Sequence, residues 1–119
     1  MKYYNGYFYL FLVTRLPCRR FTNYLFRTKD FSDWEVAYYN PILMPSEEDK
    51  ILSPRAVEKE KYESLLKEAF NINNSDIDFC EWQEKTYINY AVGNQLGLYY
   101  MCEAEYEGTV GSFLEGYFR

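Results

Sequence analysis

The chain has 119 residues, 48% of them apolar and 26% charged, the balance of one ordinary folded domain: too polar for a membrane class, too apolar for global disorder, too short for two cores. Its aromatic residues (14 Tyr, 9 Phe and 2 Trp) stand beside no histidine, which removes the commonest general base and the commonest metal ligand. The net charge of −5 hides an asymmetry: residues 1–31 carry six basic side chains against Asp30 alone, and the rest carry seven against seventeen acids.

From Tyr3 to Arg15 nearly every position is aromatic, aliphatic or β-branched, with Tyr7, Tyr9, Phe11 and Val13 on one face and Phe8, Leu10 and Leu12 on the other. Apolar residues on both faces predict a central strand covered on both sides. Leu16-Pro17-Cys18 breaks it, and Arg20 to Thr28 reads as a return strand ending at the turn cluster Asp30-Phe31-Ser32-Asp33. A third strand, Trp34 to Tyr39, stops before Pro41, completing an antiparallel meander.

Residues 40–52, with two prolines and the acids Glu47, Glu48 and Asp49, read as an exposed loop. Ser53 then offers an N-cap, Pro54 fits the first helical position and Leu52 can staple onto Val57, so a helix is predicted over 53–71. Its apolar stripe, Val57, Tyr62, Leu65, Leu66, Ala69 and Phe70, should lie on a sheet face.

Strand chemistry returns with the alternation Ile77 to Trp82, the run Thr86 to Val92, a hairpin turn at Gly93-Asn94-Gln95 and a strand from Leu98 to Tyr106. On that last strand Leu98, Tyr100, Cys102, Ala104 and Tyr106 share one face, while Tyr99, Met101, Glu103, Glu105 and Glu107 share the other, one core and one wet. Val110, Phe113, Leu114, Tyr117 and Phe118 have helical spacing and favour a short C-terminal helix, while three glycines weaken it and leave a strand as the alternative. The expected fold is α+β in a single domain: an antiparallel sheet of five to six strands with the 53–71 helix on one face.

Cys18, Cys80 and Cys102 are odd in number and widely spaced, giving no zinc or redox framework, and read as small buried hydrophobes in a reducing compartment. The apolar run after Lys2 imitates a leader, but Arg15 and Pro17 stand where small residues are needed, and nothing approaches the roughly 18 apolar residues of a membrane span. A cytoplasmic protein with no membrane partner is expected.

Three constellations carry chemistry. Glu103, Glu105 and Glu107 would stand about 7 Å apart on one strand face, a line of charge resembling successive phosphates. Arg19, Arg20, Arg27 and Lys29, interleaved with Phe21, Tyr24 and Phe26, combine phosphate neutralisation with stacking and suit single-stranded nucleic acid, or simply guard a sheet edge. Asp76 and Asp78 would face one way on a strand, as a metal-dependent nuclease requires, but no Lys or His follows at suitable spacing. No serine has a histidine to activate it and no Gly-rich phosphate loop precedes a helix, so no catalytic residue, metal or cofactor is assigned.

These patterns favour a binding module over an enzyme. The leading expectation is a small acidic protein that neutralises a basic partner, a nucleic-acid-handling enzyme of the kind opposed by phage anti-defence or toxin-immunity proteins. Its contacts would be Glu103, Glu105, Glu107, Glu47, Glu48 and Asp49, with Tyr99 and Tyr106 as aromatic anchors. The alternatives are nucleic-acid binding through Arg19, Arg20, Arg27 and Lys29, or a small-ligand pocket lined by tyrosines. A homodimer through an aromatic face is compatible with each.

Overall fold

The computed structural model describes residues 1–68 and 71–119 and shows a mostly-sheet α+β fold. Seven strands, β1 (Lys2–Tyr4), β2 (Tyr7–Arg15), β3 (Phe21–Thr28), β4 (Glu35–Val36), β5 (Asn73–Trp82), β6 (Lys85–Gly93) and β7 (Tyr99–Glu107), join in one mixed sheet, with helices α1 (Lys59–Glu68) and α2 (Val110–Gly116). Its order is β1-β2-β3-β5-β6-β7, and β4 also pairs with β3. The expected five to six antiparallel strands are therefore seven, and one pair is parallel.

The first divergence is local. Asn5 and Gly6 take φ of 46° and 82°, the paired left-handed geometry of a tight hairpin turn. The run predicted as a single strand thus becomes two, with Tyr3 opposite Phe8. The Trp34–Tyr39 strand shrinks to Glu35–Val36 because other groups take over the β3 edge. Leu25 N donates to Asn40 Oδ1 at 2.8 Å, Asn40 Nδ2 returns a bond to Leu25 O at 3.0 Å, and Ile42 N donates to Asn23 O.

β3 meets β5 in parallel only where Phe21 pairs with Asn73. The sheet thereby divides into two wings, β1–β4 and β5–β7, whose inner faces close on each other, bringing Phe11 and Phe79 ring centroids to 5.5 Å. Tyr9 and Leu25 from one wing, Ile88 and Val92 from the other, and Phe113 and Leu114 from α2 form the core. Burying a side chain such as Leu25, Val92 or Leu114 stabilises by about 1.5–3 kcal/mol. α2, the predicted C-terminal helix, begins where Glu81 Oε2 accepts Val110 N at 2.9 Å and Thr109 Oγ1 accepts Ser112 N at 3.1 Å. It seats tightly because Gly111 has no Cβ; one would collide with the Tyr4 ring.

The helix predicted over 53–71 is a correction. Ser53 closes one turn, with Ala56 N donating to Ser53 O, but Glu58 at φ 55° interrupts it and α1 starts only at Lys59. Of the described residues of the predicted stripe, Leu66 is buried, while Val57, Tyr62 and Leu65 are exposed. Ala69 and Phe70 lie outside the described residues. The element packed on the sheet is α2, not α1. No helix among the described residues is long and apolar enough to cross a membrane.

Candidate protein-binding face

β7 is an outer strand of the sheet, and its burial alternates without a break: Tyr99, Met101, Glu103, Glu105 and Glu107 are exposed, while Tyr100, Cys102, Ala104 and Tyr106 turn inward. Register places Lys85 opposite Glu107, Tyr87 opposite Glu105 and Asn89 opposite Glu103. Gly93 O accepts Ile72 N and Gly93 N donates to Asn71 Oδ1, both on the β5 side. By alternation the even residues of β6 bond to β7, and the odd residues of β7 point their amides and carbonyls at the open edge. Those same odd residues carry the exposed carboxylates.

Lys85 modifies this stripe. Its Nζ lies 3.0 Å from Glu105 and 2.8 Å from Glu107, and those two carboxylates, Glu107 foremost, hold the ammonium above its ordinary range. Glu103 is paired with no cation among the described residues. Trp82, exposed, and Tyr87, half-buried, share this outer face. They were not singled out from sequence, although the Cys80–Trp82 alternation carried the signal.

Opposite the edge runs the loop 48–56, leaving a cleft of about 630 Å³ bordered by Glu48, Ile51 and Pro54 on one side and Met101, Glu103 and Glu105 on the other. Glu48 thus adds to the stripe. Glu47 turns away and pairs with Lys50 at 2.9 Å.

Asp49 requires a correction. Only 6% exposed, it accepts Ser46 N at 2.8 Å, Asn71 Nδ2 at 2.7 Å, Asn74 Nδ2 at 3.2 Å and the Tyr90 hydroxyl at 2.9 Å. It fastens the loop to β5 and β6 and presents no charge outward, because a buried carboxylate persists only when its lone pairs are filled. Tyr106 is a second correction: it turns to the core side, its ring 5.4 Å from Phe113, leaving Tyr99 as the exposed aromatic of the pair.

The β2–β3 hairpin forms, but its basic side chains do not gather on one surface. Arg19 and Arg20 lie before β3 and Arg27 near its end, roughly 25 Å along an extended chain. Arg27 is also engaged internally, donating to Glu35 at 2.6 and 2.8 Å and sitting 4.2 Å from both the Tyr7 and Phe118 ring centroids. Lys29 lies over Tyr7 at 4.8 Å. Asp76, at φ 52° in a β-bulge, is hydrogen-bonded by Ser75, whereas Asp78 pairs with Lys2 at 2.5 Å. The bulge breaks the alternation that would have aligned them. No group of three or more metal-ligating side chains converges among the described residues.

Two of the three free cysteines differ from their expected burial: Cys18, in a loop, and Cys80, on the outer face of β5, are exposed. Cys102 donates to Asp49 O, and burial pushes its thiol up to about 11, away from the reactive thiolate. No family model matches the chain, and neither a curated protein nor a solved structure matches it.

Proposed function

We propose that the chain is a protein-binding module that neutralises a basic partner by offering it the β7 edge. One observation carries the reading: the strand residues whose main-chain groups face the open edge also carry Glu103, Glu105 and Glu107. An extended segment adding to that edge gains main-chain hydrogen bonds, and Lys or Arg at alternate positions meets the carboxylates. Their phosphate-like spacing makes a nucleic-acid-handling enzyme with a cationic groove the partner class. Charged side chains on an edge strand also discourage self-pairing, which suits an edge reserved for an oppositely charged partner.

The test is fluorescence anisotropy with a labelled peptide alternating Arg and Val, and an otherwise identical Glu and Val peptide as control. The basic peptide binds, weakens with salt, and loses at least about tenfold in affinity with Glu103→Lys, a change of about 1.4 kcal/mol. Equal binding of both peptides, or indifference to Glu103→Lys, rejects the reading.

A further inference from the structure

Among the described residues no helix packs on the outer face of β2 and β3, although Thr22 and Thr28 on it are buried. Cross-strand pairs place Phe8 with Thr28, Leu10 with Phe26 and Leu12 with Tyr24 on that side, and none of these apolar residues belongs to the core cluster. Tyr3 extends the face onto β1 and Val36 onto β4 through their partners Phe8 and Phe26. Phe31 completes it. Its φ of 63° is unusual for a bulky side chain, and the turn that imposes it lays the ring 4.4 Å from Phe8 and 6.3 Å from Trp34. From β1 to β4 this side carries no charged strand residue, since Lys2, Arg15, Arg27 and Glu35 all project to the other side. α2 lies on the inner face, and Leu66 of α1 borders the cleft beside β7.

We propose that this face docks a second copy of the chain, sheet against sheet about a twofold axis. Three observations select that occupant. With aromatic side chains carrying roughly 150–250 Å² each, the exposed parts of Tyr3 (65%), Leu12 (46%), Phe31 (51%), Trp34 (39%) and Val36 (56%), with the half-buried residues between them, amount to about 600–700 Å². That exceeds the usual largest patch of a monomer and approaches the roughly 800 Å² per copy of a standard interface. Two copies of a protein of net charge −5 repel at most approaches; a face whose strands carry no charged side chain lets them meet there without opposing like charges across the strands, as an isologous contact requires. Lastly, β2 is apolar on both sides, the pattern of a strand with two covers, and the described residues supply only one. Sheets packed face to face lie about 10 Å apart and interdigitate their side chains.

The dimer surface lies on the β1–β4 wing, so its failure and that of the β7 reading are separable. Sedimentation equilibrium from about 1 to 300 µM shows a monomer–dimer equilibrium whose midpoint moves at least about tenfold upward with Leu12→Glu or Val36→Glu. Both side chains are substantially exposed, and circular dichroism verifies the fold. Val57→Glu, on an exposed site elsewhere, leaves the dimer intact, and Leu12→Glu leaves binding of the basic peptide unchanged. In a Trp82→Phe background, Trp34 emission shifts to the blue as the dimer forms. A monomer throughout the range overturns the proposal, even one that adsorbs to lipid vesicles or captures a different protein through this face. A dimer indifferent to both glutamate substitutions overturns it equally.

Discussion

The Tyr90 hydroxyl donates to Asp49 Oδ1 at 2.9 Å, joining the middle of β6 to a loop residue 41 positions earlier. Asn71 and Asn74 converge on the other carboxylate oxygen, so one buried acid holds the loop that forms the far wall of the β7 cleft. Asp49→Ala strands three side-chain donors and should cost about 3–5 kcal/mol in urea-induced unfolding. The loss should also open the cleft, seen as faster proteolysis within residues 47–58.

Two neighbouring tyrosines should respond in opposite senses to losing their hydroxyls. Tyr90→Phe removes a donor from Asp49 and should cost about 1–3 kcal/mol. The buried Tyr100 hydroxyl finds no partner among the described residues, so Tyr100→Phe should be neutral or stabilise by up to about 1 kcal/mol. Chemical denaturation of both variants checks the pair.

Alkaline pH should unfold the protein through the same cluster. Burial raises Tyr100 to about 12 and Cys102 to about 11, and burial with the Asp49 hydrogen bond raises Tyr90 further. A raised folded value means the stabilisation is complete below the unfolded values, 10.0 for tyrosine and 9.0 for cysteine, and is lost as pH rises through the folded ones. Melting temperature should therefore fall from about pH 9 upward, less steeply in Tyr100→Phe. The native tyrosinate absorbance titration should lag that of the denatured chain.

On the acid side, hydrogen bonding to Lys2, then to Phe79 N, lowers the Asp78 carboxyl from its ordinary value of 3.8. That tie between the two wings is present above the unfolded value and lost as pH falls through the folded one. Asp78 is largely exposed, so the contribution is at most a few tenths of a kcal/mol after solvent screening. Asp78→Asn should flatten the dependence of stability on pH below about 4, measured by urea unfolding at several pH values.

Lys85→Met should release Glu105 and Glu107 from their shared cation. Affinity for the alternating Arg and Val peptide should rise about two- to tenfold, and its salt dependence should steepen. Stability should hardly change, as for other exposed pairs. An unchanged affinity would show that these two carboxylates do not contact the peptide.

Sequence alone determined what depends on near neighbours. The two-residue period of Tyr99 to Glu107 set which side chains of β7 face water, and the spacing of Phe113, Leu114 and Tyr117 set α2, because both periodicities follow from backbone geometry. The Asn5-Gly6 turn was equally local and sat unread inside an apolar run. Contacts between distant parts of the chain settled the rest. Asp49 reads as one acid in a hydrophilic triplet until Asn71, Asn74 and Tyr90 arrive from 22 to 41 residues away, and Arg27 reads as a free cation until Phe118 and Glu35 enclose it. The alternation of β2 fixes two apolar faces, but which one the core takes depends on where β5–β7 and α2 close over it. That choice is a long-range packing event, and it left Phe8, Leu10 and Leu12 facing outward.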